Sequence, residues 1–494
     1  MKLSYRMLIG GFAIALFVIA LNYSCKKMVT IDPPVTSTTG DAVFNDDATA
    51  IAVLTGIYSS ISSPSLTSSI IGLNLITKRT GLSADELTLW SGAGSTDKAY
   101  YKNALLVNSL TSAGAEIWNT SYRLIASCNS AIEGLQSSKS LTPSVKEQLL
   151  GEARFIRAFI YFYLVNLYGD IPLVITSDYE INRLLSKTSK EEVYKFMISE
   201  LKEAKTLLSS DYLNGQLKPY PSTTSERVRP TSWAATALLA RVYLFDSDFA
   251  NAELESTNLI NNNKLFSLPP LSSVFLKNNS EAIWQLQPVN KSGSLYSNTE
   301  DGKFFNLTAA PVGLNSTHTT YLSPQLYSAF ESNDNRKVNW VGTYTSGSNT
   351  YFFPSKYKAA TGTSSISSIT EYLNVFRLAE QFLIRSEARA QQNNILGSQN
   401  DLNVIRLRAG LASTAANDKN SLLSAILQER RVELFIEWGH RWLDLKRTGN
   451  VDVVMSAVTP LKANGSPWQS YQQWYPILLD DVQRDPNLAQ NQGY

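Results

Sequence analysis

One stretch constrains this chain more than any other: Ile426-Leu-Gln-Glu-Arg-Arg-Val-Glu-Leu-Phe-Ile-Glu-Trp-Gly-His-Arg-Trp-Leu-Asp-Leu-Lys-Arg-Thr-Gly449. Leu423, Leu427, Leu434 and Trp438 recur at helical spacings, which predicts a helix running to Gly439, where glycine is a natural stop. A shorter helix through Trp442 and Leu445 then ends at Gly449. Glu429, Arg430, Arg431, Glu433, Glu437, Arg441 and Asp444 interleave with Phe435, Ile436, Trp438 and Trp442. On a solvated helix face, charge and aromatics would separate. Interleaving forces some of the charge into a packed interface, where arginine and carboxylate need fixed partners. The stretch therefore predicts a buried ion-pair network with a structural role.

At 494 residues the chain can bury a large core or two lobes. Lys+Arg 44 against Asp+Glu 42 leaves a net charge of +2, so no excess charge draws it to a polyanion, and nucleic acid is excluded as a partner class. The charged fraction is only 17% while aromatics reach 11%, a balance that suits neutral polar ligands. Two cysteines, Cys25 and Cys128, and two histidines, His318 and His440, are too few for a His/Cys metal cluster. Carboxylate-bound calcium stays open, and no cofactor is expected. No Walker, GxSxG or GxGxxG sequence appears.

Lys2 and Arg6 precede an apolar run over residues 7–21, a signal-peptide core too short to span a bilayer comfortably. The run closes on Leu21-Asn-Tyr-Ser-Cys25, which looks like a bacterial lipobox with its leucine one position further from the cysteine than usual. This predicts a signal peptide over 1–24, lipidation at Cys25 and a tether over 25–40. Cys128, between Ile125 and Ile132, then reads as a small buried hydrophobe.

Residues 41–494 read as one domain, mostly α, with a helical scaffold over 41–267 and 373–494 and a loop-rich insertion over 268–372. Ala50, Val53, Leu54 and Ile57 form one helical face, and Ser83-Ala-Asp-Glu86 has the form of a capping box. Trp90 follows in a glycine-rich loop. The segment 151–173 is apolar nearly all round, which predicts a helix buried between neighbours. Leu239-Ala240, Tyr243, Phe249 and Ala252 have tetratricopeptide spacing, and Leu378-Ala379 with Phe382 repeats its first part. In the insertion, Glu281-Ala-Ile-Trp-Gln-Leu-Gln287 alternates like a strand among many aromatics. Asp334 and Arg336 suit a turn-fixing ion pair.

Three segments resemble signatures of the SusD/RagB family, surface nutrient-binding lipoproteins of Bacteroidetes. They are Gly151-Glu-Ala-Arg through Tyr168-Gly-Asp-Ile-Pro-Leu173, the stretch Glu429-Arg430-Arg431-Val432-Glu433-Leu434 with Glu437, His440, Arg441, Trp442 and Asp444, and the tail Asp485-Pro486-Asn487 to Tyr494. The resemblance implies a SusD-like fold on a tetratricopeptide-type scaffold and a place at the outer membrane, lipid-anchored and exposed at the cell surface. It also implies a SusC-like TonB-dependent transporter as partner, an oligosaccharide as ligand and no enzymatic activity. A peptide ligand is the alternative within the family. Outside it, a surface glycoside hydrolase would use Asp85 with Glu331 or Asp334. A sugar presents apolar C–H faces and hydroxyl edges, so its capture calls for flat rings on irregular loops beside a few polar partners. That criterion sets aside Trp118, Trp233, Trp284, Trp438 and Trp442. It selects Trp90, Tyr296, Trp340 and Tyr344, with Asp85 carried by the resemblance.

Overall fold

The computed structural model describes residues 43–62, 72–107, 113–221, 225–289, 298–311, 318–359, 368–462 and 465–494. The predicted signal peptide, Cys25 and Tyr296 lie outside these residues. Among the described residues the architecture is mostly helical with four two-stranded sheets. Its centre is the helix Pro143–Tyr168, in which every residue from Phe155 to Tyr168 is buried. Such a helix cannot be amphipathic, because it is covered on all sides, here by Asp47–Ser62, Ala115–Ser137 and Lys190–Leu207. Cys128 is fully buried against this layer as a free thiol.

From there each helix packs on the next. Lys190–Leu207 leans on Ser232–Phe245, which pairs with Phe249–Ile260. That helix meets Leu378–Gln391, the partner of Ile395–Arg408. The two tetratricopeptide-type pairs expected from Leu239-Ala240 and Leu378-Ala379 are thus neighbours in one solenoid. Ala237, Ala240 and Ala379 are fully buried at these crossings, where small side chains let helix axes approach.

Between the pairs, the 268–372 segment carries short strands. Its β4, Ala282–Leu286, pairs antiparallel with β8, Leu373–Arg377, and every residue of both is buried. In front, β5 (Thr320–Leu322) pairs with β1 (Leu87–Leu89), and β6 (Val341–Ser346) forms a hairpin with β7 (Asn349–Pro354). Elsewhere β2 (Ile171–Pro172) pairs with β3 (Lys187–Thr188).

Two local expectations need correction. The helix predicted to run to Gly439 is Lys419–Glu433, and its buried face carries Leu422 and Ile426 rather than Leu423 and Leu427. Beyond Glu433 the chain leaves helical geometry, with Ile436 and Trp438 at φ +50° and +47°. Their amides are met from elsewhere: Ile436 N–H donates to Glu86 Oε1 at 3.1 Å and Trp438 N–H to Thr77 Oγ1 at 3.1 Å. Gly439, at φ +76°, starts the helix His440–Arg447 instead of stopping the one before it. A Cβ there would lie 2.8 Å from Thr80 Oγ1, so the close approach requires glycine. Ser83-Ala-Asp-Glu86, for its part, is not a capping box. Ser83 ends the helix Leu75–Ser83, and its hydroxyl donates to Arg79 O at 3.1 Å.

Candidate ligand cleft

The residues of the 429–444 signature meet their partners in the interior. Arg377 binds Glu281 at 2.8 Å, Glu433 at 2.6 Å and Glu437 at 2.8 Å. Arg408 bridges Glu281 and Glu433, each at 2.5 Å. Arg336 reaches Asp334 at 2.8 Å, Glu429 at 2.6 Å and Glu433 at 3.0 Å. The expected turn-fixing pair of Asp334 and Arg336 is therefore one corner of a larger network. Arg430 and Arg447 share Asp444, each at 2.7 Å. Burial pushes the His440 imidazole well below its ordinary range, and Arg241, Arg430 and Arg377 add to the effect, so the ring is neutral. Trp442 is fully buried.

One end of this charged interior reaches the surface at a cleft of about 470 Å³ between β1, β5 and β7. Antiparallel register sets Thr88 opposite Tyr321, so both side chains share one face. Tyr101, Tyr321, Tyr327 and Phe352 supply aromatic walls, and Asp85, Ser323, Gln325, Thr350 and Lys462 supply polar groups. Phe352 stacks on Tyr327 with centroids 3.7 Å apart and planes 15° apart. Lys337 Nζ stands 3.9 Å from the Tyr327 centroid. With both faces occupied, Tyr327 props Phe352, while Tyr321 meets Tyr351 edge-on at 5.2 Å. Tyr321 and Phe352 remain half-buried and open to the cleft.

The polar groups are fixed in place. Burial opposes the Asp85 charge, but Arg441 at 2.8 Å and Arg431 at 2.7 Å outweigh it and hold the carboxyl below its usual range. Next to it, burial pushes Glu86 up to about 7, only partly offset by the Ile436 amide. Burial likewise pushes Lys462 down to about 7, though its ammonium donates to Leu82 O at 2.8 Å and Ser83 O at 2.9 Å. The carboxylates proposed for hydrolysis are all held by arginine: Asp85 as above, Glu331 by Arg406 at 2.6 Å and Asp334 by Arg336. A general acid must carry a proton near neutral pH, whereas arginine holds the Asp85 and Glu331 carboxyls below their usual range. No group of three or more His, Cys, Asp or Glu side chains is placed to hold a metal among the described residues.

Of the residues selected from the sequence, Asp85 lines the cleft as an arginine-bound wall. Trp90 lies just past β1, its amide donating to Thr319 O at 2.9 Å and its ring folded over Gly92. It is half-buried beside the cleft but outside its lining. Tyr344 pairs with Tyr351 in the hairpin, whereas the cleft takes Thr350 and Phe352 from the alternate face of β7. Trp340 is a correction. It ends the helix Asn335–Trp340, is 1% exposed, and its indole N–H donates to Leu271 O at 2.9 Å. An aromatic position within a loop-rich segment did not mean an exposed ring there. Tyr101 and Lys462 were passed over, since strand pairing and the chain's C-terminal third are needed to bring them in. The alternation of Tyr351 and Phe352 beside Thr350 is a signal that could have marked the hairpin's cleft face.

The fold is thus a helical-repeat solenoid carrying an aromatic cleft whose walls come largely from inserted strands. Comparison narrows it. The model of the SusD family matches residues 296–494, and one described as "Starch-binding associating with outer membrane" matches residues 88–244; together they take in well over half of the chain. SusD-like protein P2 of Formosa agariphila is 25% identical over 455 residues, covering 82% of this chain and 85% of that protein. Starch-binding protein SusD of Bacteroides thetaiotaomicron is 22% identical over 433 residues, 73% of this chain and 75% of its own. Surface glycan-binding protein A from Bacteroides uniformis has the same fold, with a TM-score of 0.73 at 19% identity over 90% of this chain and 99% of that one. The chain belongs to the SusD/RagB family.

Proposed function

We propose that this chain captures an oligosaccharide at the cell surface, without cleaving it, and passes it to a TonB-dependent outer-membrane transporter of the SusC type. The observation that carries this reading is the cleft, in which Tyr321 and Phe352 offer ring surface beside arginine-bound Asp85, Gln325 and Thr350. Relatives named for starch and glycan binding support the ligand class. Calorimetric titration of the purified full-length chain in detergent with a panel of neutral oligosaccharides tests it. Tyr321→Ala and Phe352→Ala should each weaken binding by about 1–3 kcal/mol, taking base–aromatic stacking as the analogue. Melting temperatures should change little, because both rings are half-exposed. Unaltered affinity in both variants would place the ligand elsewhere, and failure of every saccharide to bind, with a peptide binding instead, would overturn the ligand class.

The anchor belongs to the same proposal. Acylation at Cys25, following the predicted leader over 1–24, would hold the chain to the outer membrane through the tether over 25–40, at about 0.8 kcal/mol per buried methylene. Cys25→Ala should release the protein into the soluble fraction or leave it unprocessed. Membrane recovery of that variant without labelled palmitate would refute lipidation. Gentle detergent extraction of the unaltered chain should bring the transporter with it, and extraction alone in every detergent would refute that partnership.

A further inference from the structure

A second cleft, of about 600 Å³, lies away from the first, between the start of Lys190–Leu207 and the C-terminal segment. Its walls include Tyr471, Trp474 and Gln473, with Lys187 and Lys190 on the opposite side. Its charge sets it apart. Most buried cations in this protein sit against carboxylates, whereas Lys187, Lys190 and the underlying Lys446 form no salt bridge among the described residues. Lys446 Nζ lies 3.7 Å from the Trp474 ring centroid and donates to Asn166 O at 2.5 Å. Lys190 Nζ is 6.0 Å from the same ring. Lys187 uses one of its three donors on Asn491 Oδ1 at 2.7 Å. The one acidic side chain in the lining, Asp170, accepts the Lys190 backbone N–H at 2.8 Å. Asp246 also acts on Lys190 from a distance without forming an ion pair. Burial pushes all three ammonium groups below their ordinary range, although the Asp170 carboxylate acts in the other direction on Lys187 and Lys190 without forming an ion pair with either.

We infer that this cleft is a second binding site, for an acidic saccharide. A uronate residue would set its apolar C–H face against the Tyr471–Trp474 wall and its carboxylate between Lys187 and Lys190. Gln473, whose Nε2 donates to Ser470 O at 2.9 Å, would offer its Oε1 to a hydroxyl. The aromatic wall and amides distinguish this ligand from a bare inorganic anion, which would gain nothing from them. The site does not rest on the function proposed for the β1–β5–β7 cleft, and it can be tested with that cleft impaired.

Titration of the purified full-length chain carrying Tyr321→Ala and Phe352→Ala with trigalacturonate decides the matter. The trimer is expected to bind in that background. Adding Lys187→Gln and Lys190→Gln should weaken it at least tenfold, as should full methyl esterification of the trimer. Both lysines are partly exposed, and glutamine can still donate to Asn491, so the thermal melt should change little. Should that variant prove unstable, raising the salt from 50 to 500 mM is the substitute measurement: the acid must lose affinity while the ester does not. No binding of trigalacturonate, equal binding of acid and ester, or indifference to the lysine substitutions in a folded variant would each overturn the inference.

Discussion

Arg377→Ala is expected to lower the unfolding free energy by about 3–5 kcal/mol, the range for removing one partner from a buried ion pair. Arg377 is 2% exposed and holds three carboxylates, Glu281, Glu433 and Glu437, while Nη2 also donates to Glu433 O at 2.7 Å. Its removal leaves Glu437 with Lys356 alone and Glu281 with Arg408 alone. The uncompensated negative charge, rather than the lost attraction, dominates the cost. Acid should expose the same network. Burial opposes the charge on Glu433, yet Arg408, Arg377 and Arg336 outweigh it and hold the carboxyl far below its usual range; Glu437 is likewise depressed. A depressed carboxyl contributes stability above its unfolded value of about 4.3 and loses it as pH falls toward the folded value. The variant should therefore unfold at a higher pH than the unaltered chain. Denaturant titrations at pH 7 and pH 4 measure both effects, and a loss under 1 kcal/mol at pH 7 would show that the network is not stabilising.

That network was readable in part. Charges interleaved with aromatics over 429–444 announce buried ion pairs, because no solvated face mixes them in this way. Their partners were not readable: Glu281 immediately precedes β4, Arg377 ends β8, and Arg336 and Arg408 come from two other helices, and no local pattern links them. The helix phase was misread for a related reason. Counting Leu434 and Trp438 into the period assumes that the helix continues, whereas Glu86 and Thr77 capture the Ile436 and Trp438 amides and end it at Glu433. The solenoid was more legible, since small residues at helix crossings recur locally. The sequence criterion of rings on loops points to the 268–372 segment, which supplies Tyr321, Tyr327 and Phe352 to the cleft, but it could not separate rings turned inward from rings turned outward. Strand pairing makes that choice, setting Tyr321 opposite Thr88 and placing Phe352 one residue from Tyr351 on the alternate face.

Trp340 shows what that choice costs. Trp340→Ala is expected to destabilise the protein by about 3–5 kcal/mol, the range for deleting a buried tryptophan. Its ring meets Phe275 edge-on at 5.4 Å and has Lys356 Nζ at 5.0 Å and the Arg377 guanidinium at 5.8 Å from its centroid. Truncation therefore opens a cavity beside the ion network and leaves Leu271 O without its indole donor, so the two losses add to the same region. Trp90→Ala is the matched control, because that ring is half-exposed and rests on Gly92. Its melting temperature should stay close to that of the unaltered chain. Saccharide affinity, measured well below the variant's melting temperature, should survive Trp340→Ala, since the ring does not line the cleft. A Trp340→Ala chain that melts normally but loses its ligand would refute the core assignment and return Trp340 to the binding surface.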